Sequence, residues 1–168
     1  MGWNSLHQLG MEVNRVDDIN DAIYKLGVIV GEKTDLTGMS PLHKACQYGR
    51  VQNVEKLINE GADVLATNDW GSSALHWAVK GCIHNQNEQG FNQRDYVEII
   101  NLLCSSSRRL LEMKDAVYDD GHGPASYALT LHFISQTGMT AAELAKKYQD
   151  NVLQQLLEKK VENLRNER

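Results

Sequence analysis

The chain is poor in the residues that announce many protein classes. Its 168 residues include only 3 cysteines, 2 prolines and 2 phenylalanines. An odd, sparse set of thiols offers no disulfide framework and points to a reducing compartment, so a cytoplasmic location is expected. Two prolines exclude collagen-like and proline-rich chains, and 42% hydrophobic with 23% charged residues argues against wholesale disorder. No apolar run approaches the ~20 residues that cross a bilayer. Met1 to His7 carries no basic head and apolar core, so no secretory signal is read there. Leu6 also stands where a myristoylation signal wants serine or threonine. Excess positive charge is missing too: 17 Lys and Arg face 22 Asp and Glu, a formal net charge of −5. Neither nucleic acid nor a membrane is an expected partner for such a surface. One soluble domain, monomeric when free, is the expectation.

A repeat is present. Asp35-Leu-Thr-Gly38-Met-Ser40-Pro41-Leu42-His43-Lys-Ala45 superimposes on Asp69-Trp-Gly71-Ser-Ser73-Ala74-Leu75-His76-Trp-Ala78. Gly38 and Gly71, Ser40 and Ser73, Leu42 and Leu75, His43 and His76, and Ala45 and Ala78 each lie 33 residues apart. A fixed period of this length is the mark of a repeat array. The residues supply local reasons as well. Ser40 before Pro41 reads as a helix N-cap with proline at the first helical position. Gly49 permits a tight reversal and Gly61 stops a second helix. Leu42 and Ala45, then Val51, Val54, Leu57 and Ile58, recur at helical spacing and predict a buried stripe.

The Pro-Leu-His-x-Ala signature, the 33-residue period and the Gly61-Ala62-Asp63 turn together resemble the ankyrin repeat, nearly end to end over residues 35–68. The resemblance implies an all-α ankyrin-repeat solenoid of about four helix-turn-helix repeats with β-turn fingers and atypical capping repeats. Residues 3–34 read as a degenerate first repeat, because Trp3-Asn-Ser5-Leu6-His7 echoes Met39 to His43. The second repeat spans 35–68. A third spans 69–114, with Val54, Leu57 and Ile58 matched to Ile99, Leu102 and Leu103 and about 12 residues inserted near 81–94. The fourth spans 115–168, where Gly138-Met-Thr140-Ala141-Ala142-Glu143-Leu144-Ala145 resembles a terminal first helix. Its finger carries an insertion near 116–136.

No stretch of the chain carries a complete chemical motif. Gly27 to Thr34 has the glycines and lysine of a phosphate loop, but Glu32 precedes Lys33 where Walker A demands glycine. His43, Cys46, His76, Cys82 and His84 lack the two close pairs of a structural zinc site. The resemblance gives His43 and His76 a structural role, hydrogen bonding to backbone. Cys46 and Cys104 fall near apolar positions and read as small buried side chains. No nucleophile elbow, His-Glu-x-x-His or framed carboxylate pair occurs. No catalytic, cofactor-binding or metal residue is assigned, and the chain is expected not to be an enzyme.

A recognition surface for another protein remains, as the resemblance implies. Carried over position by position, the finger tips are Leu36-Thr37 and Asn68-Asp69-Trp70, and the exposed first-helix positions are Lys44, Gln47, Tyr48, Trp77 and Lys80. Tyrosine and tryptophan are the types that anchor interfaces, although Trp77 has packing against the next repeat as its other reading. The finger insertion adds Tyr118, Asp119, Asp120, His122 and Tyr127 to the candidates, followed by alternating Leu129, Leu131 and Phe133 that suit a strand or a short helix. From Asp115 to Ala145 there are four acidic residues and no Lys or Arg, so a partner with a basic surface is expected. A stand-alone blocking protein, either a stoichiometric inhibitor or a toxin-neutralising immunity protein, is the leading reading. An adaptor bridging two proteins is the alternative, with an enzyme or metal protein behind both.

Overall fold

Polar caps and glycine stops cut the chain into short helices, and in the computed structural model these helices pair. The structure describes residues 5–12, 15–24, 29–33, 37–115 and 138–167. The first pair is α1 (Ser5–Met11) with α2 (Val16–Tyr24), and the second is α3 (Pro41–Gln47) with α4 (Val51–Asn59). The third is α5 (Ala74–His84) with α6 (Gln93–Ser106), followed by a 3₁₀ turn at Arg108–Leu111. The last is α7 (Ala141–Lys147) with α8 (Asn151–Asn166). First helices pack on first helices, α1 on α3, α3 on α5 and α5 on α7, while α2, α4 and α6 continue a second row. Among the described residues there is no strand, only the isolated bridges Thr67–Ser73 and Lys114–Thr140 that close two fingers. The architecture is an all-α stack, and Leu6, Leu42 and Leu75 are buried in successive layers. One pair cannot cover such a stripe alone, so each layer covers its neighbour. No described helix is long and apolar enough to cross a membrane.

Polar side chains join the layers where backbone ends would otherwise be orphaned. Asn53 on α4 is fully buried, and its Nδ2 donates to the carbonyls of Leu9 at 2.9 Å and Glu12 at 2.8 Å, at the end of α1. Deleting that amide removes the donor to the part-buried Glu12 carbonyl and one of the two donors to the Leu9 carbonyl. Asn53→Ala is therefore expected to lower the unfolding free energy by about 2 kcal/mol in urea titrations followed by circular dichroism.

Burial corrects the alignment of the second helices. Asn53, Val54 and Leu57 are buried in α4, and Ile99, Ile100 and Leu103 are buried in α6, whereas Leu102 is half-exposed. The helices therefore match 46 residues apart, not 45, and 13 extra residues enter between the start of α5 and the buried stripe of α6. Part of this insertion is helical: α5 runs to His84, beyond the position aligned with the end of α3. Asn85 Nδ2 then donates to the Gln47 carbonyl at 2.8 Å, and the Tyr96 hydroxyl donates to the same oxygen at 3.1 Å. The insertion thus caps α3. Close approach also demands glycine at 81, where a Cβ would stand 2.1 Å from the Gln47 oxygen.

The last described pair lacks the apolar outer positions of the earlier ones. The positions of Leu42 and Leu75, both buried, are occupied by half-exposed Ala142, and those of buried Cys46 and Val79 by exposed Lys146.

Candidate protein-binding face

The first helices α3, α5 and α7 are capped by Ser40, Ser73 and Thr140, and the partner three residues later decides how layers connect. The Ser40 amide donates to His43 Nδ1 at 3.1 Å, and the Ser73 amide to His76 Nδ1 at 3.3 Å. An accepting Nδ1 leaves the proton of a neutral imidazole on Nε2. That nitrogen reaches the next finger: His43 Nε2 lies 3.2 Å from the Ser72 oxygen and His76 Nε2 2.9 Å from the Met139 oxygen. His7 Nε2 is likewise 2.9 Å from the Met39 oxygen. Residues 39, 72 and 139 are equivalent, so three histidines form a ladder from layer to layer. In α7 the position belongs to Glu143, whose carboxylate instead accepts from the Thr140 amide at 2.7 Å. Burial pulls His7 and His76 below the usual imidazole range and takes His43 down to about 4.

The third finger is a tight hairpin, and the neck of the fourth closes with the same bonds. Asn68 accepts at Oδ1 from the Ser72 amide at 2.9 Å, and its own amide donates to the Ser72 oxygen. Asp115 makes the same pair of bonds with Met139, accepting at 2.8 Å. Four residues of sequence separate the first partners and 24 the second, so the finger is longer by 20 residues and its neck is closed. Beneath the neck lies a buried ion pair, Lys80 Nζ to Asp115 Oδ2 at 3.6 Å, with both side chains almost without exposure. Lys80 also donates to the Ser72 hydroxyl at 3.0 Å and lies 5.3 Å from the centre of the Trp77 ring. Burial lowers the Lys80 ammonium from its ordinary range, against the opposing pull of Asp115.

These contacts correct four of the expected partner residues. Asn68, Trp70, Trp77 and Lys80 are 4%, 3%, 4% and 2% exposed, so none stands free as an anchor. Trp70 folds back from the finger tip onto Trp77, ring centres 6.4 Å apart, and both join the core. Lys80 is turned inward by Asp115. Among the described residues, no hydrogen-bond acceptor faces the buried Trp77 Nε1. The remaining candidates keep some exposure. Asp69 is exposed at the finger tip, and its amide donates to the Thr37 oxygen of the preceding finger at 3.2 Å. Tyr48 is exposed at the end of α3, beside half-buried Lys44 and Gln47, and burial lowers the Lys44 ammonium. Tyr118, Asp119, Asp120, His122 and Tyr127 lie outside the described residues, as does Leu36.

The described residues hold no group of three His, Cys, Asp or Glu side chains arranged to take a metal ion. The three cysteines are free and buried. Burial raises the Cys46 thiol and pushes Cys82 and Cys104 to about 12 and about 11, so none is a ready nucleophile at neutral pH. Cys82 contacts Asp150, the N-cap of α8, which also takes both Gln93 bonds at 3.2 Å. This polar cluster ties the third pair to the fourth.

Comparison with known proteins agrees with the geometry. A family profile described as "Ankyrin repeats (3 copies)" matches residues 14–113. Human SH3 and multiple ankyrin repeat domains protein 2 is 48% identical over 42 residues, 25% of this chain and 2% of that protein. Human neurogenic locus notch homolog protein 2 is 38% identical over 61 residues, 36% of this chain and 2% of that protein, and its mouse counterpart matches equally. The chain spans only about one-fiftieth of these relatives. With three repeats matched across more than half its length, and with finger, paired helices and histidine ladder in place, the chain belongs to the ankyrin-repeat family.

Proposed function

We propose that this chain is a non-catalytic recognition module that blocks the surface of another protein in the cytoplasm, as a stoichiometric inhibitor or immunity protein. Ankyrin repeats are in general protein-interaction modules, and that general role holds for the family matched here. The supporting observation is the fastening of the fingers. Backbone bonds join the second and third fingers, the histidine ladder ties fingers to helices, and the Lys80–Asp115 pair braces the neck of the enlarged one. Fingers held this way lose little entropy when a partner docks, which favours tight binding. Contacts are assigned to Asp69, Tyr48, Lys44 and Gln47, together with Tyr118, Asp119, Asp120, His122 and Tyr127 of the insertion.

Affinity capture with the intact chain, followed by an activity assay on the captured partner at equal stoichiometry, tests the reading. Tyr48→Ala with Asp69→Ala is expected to weaken binding at least about tenfold while changing stability by under about 0.5 kcal/mol, since both side chains are surface groups. Unchanged affinity removes this face from consideration. A captured partner that keeps full activity when saturated removes the blocking role and favours an adaptor. The adaptor is a second reading because the far end of the array offers another groove.

A further inference from the structure

The end of the array carries a groove that stacking does not use. It lies between the 3₁₀ turn, the start of α7 and the distal half of α8, with a volume of about 570 Å³. Its apolar floor is Leu111, Ala142, Val161 and Leu164, the last three half-buried. In earlier layers the corresponding face is filled by the next helix pair. Here Lys146 stands where Cys46 and Val79 stand, so a fifth layer of the same kind would bury its ammonium. Val161 and Leu164 belong to turns of α8 beyond repeat length, since α8 has 16 residues and α4 has 9. The rim is anionic: Glu112, Glu143, Glu158 and Glu162 surround the floor against Lys146 and Arg165. The Thr140 amide holds the Glu143 carboxyl below its usual range, which keeps it charged.

We propose that this groove is a second docking site, which takes a cationic amphipathic helix from a partner protein. An apolar floor between helices selects anchors at i, i+3, i+4 and i+7, and an anionic rim selects Lys or Arg beside them. The floor follows α8 from Glu158 to Arg165, roughly 10 Å at the helical rise, so about two turns of the occupant fit. A second copy of this chain is the poorer occupant, because its first pair would bring exposed Asp17 and Asp18 toward the same carboxylates. The site is independent of the finger face and holds whether or not that face blocks a partner.

The probe is a fluorescein-labelled helical peptide of leucine and lysine, about 14 residues long, with leucine at the spacing above. It is compared with a scrambled peptide of equal composition and with a version carrying glutamate for lysine. Saturable one-to-one binding is expected by anisotropy, with amide shifts in the intact chain confined to Ala142, Lys146 and residues 158–165. Glu158→Lys with Glu162→Lys, both exposed and harmless to the fold, should weaken the lysine peptide at least about tenfold and improve the glutamate peptide. Val161→Asp should weaken both helical peptides, while Tyr48→Ala with Asp69→Ala and Asp17→Lys with Asp18→Lys should change nothing. Equal affinity for the scrambled peptide, shifts placed elsewhere, indifference to the charge reversal, or sedimentation showing that copies self-associate through this face would each overturn the proposal.

Discussion

Replacing Lys80 by methionine is expected to destabilise the protein by about 3–5 kcal/mol, because it leaves the Asp115 carboxylate buried without its cation. The cost comes from the stranded charge and not from the worth of the pair, so the double change tells more than the single. Asn68 does with a neutral amide what Asp115 does with a carboxylate, accepting the backbone amide across the finger neck. Lys80→Met with Asp115→Asn should therefore recover most of the loss, to within about 1.5 kcal/mol of the wild type. Urea unfolding of the wild type and three variants closes the cycle. A single Lys80→Met variant within about 1 kcal/mol of wild type would mean that water already reaches the pair. Hydrogen exchange at the Met139 amide is the local readout, and should quicken in the single variant and slow again in the double.

Acid should loosen the stack before it touches the carboxylates. His43 is buried and its Nδ1 already accepts the Ser40 amide, so a second ring proton would face a donor. The unfolded chain binds that proton near 6.5 and the folded chain only near 4. Folded His43 thus holds fewer protons, and its contribution to stability is complete above about pH 6.5 and lost as pH falls from there toward 4. By linkage this residue alone removes about 2 kcal/mol between pH 7 and pH 5, and on the order of 3 kcal/mol in full. His7 and His76, both lowered by burial, add to the fall in the same direction. Glu60 and Glu143 are lowered as well, so their contributions are complete above the ordinary carboxylate range and are lost only as pH falls from that range through their own lower values. Chemical unfolding at half-unit steps from pH 7.5 to 5 measures the slope. His43→Gln, which keeps a side-chain amide to donate to the Ser72 oxygen, should flatten the slope whatever it does to the level. A slope unchanged by that substitution would mean that the ladder does not resist protonation.

The residues that carry the repeat were legible because each acts locally. Ser40 and Ser73 cap, Gly49 and Gly61 turn, and the leucines fall on one stripe, so spacing alone identifies them. The α6 register was not legible. Ile99, Ile100, Leu102 and Leu103 satisfy two helical phases equally well, and only burial against α4 and α5 chooses between them. Trp70 and Lys80 read as surface residues, and Trp77 as either exposed or packed, for a related reason. A finger-tip tryptophan and a first-helix lysine look exposed until one knows that the tip folds back onto Trp77 and that Asp115 comes to lie over α5. The candidate groove on α8 left a partial trace, since its apolar stripe continues past repeat length to Leu164. Its acidic rim is drawn from the segment after the 3₁₀ turn, from α7 and from α8, and no single stretch of sequence displays it.

What the chain's letters settled unaided was the family and the helix pairs, because caps and turns each act within a few residues. What awaited three dimensions was which polar and aromatic side chains reach a partner. Exposure is a property of neighbours drawn from elsewhere along the chain, and no local pattern encodes the arrival of Asp115 beside Lys80.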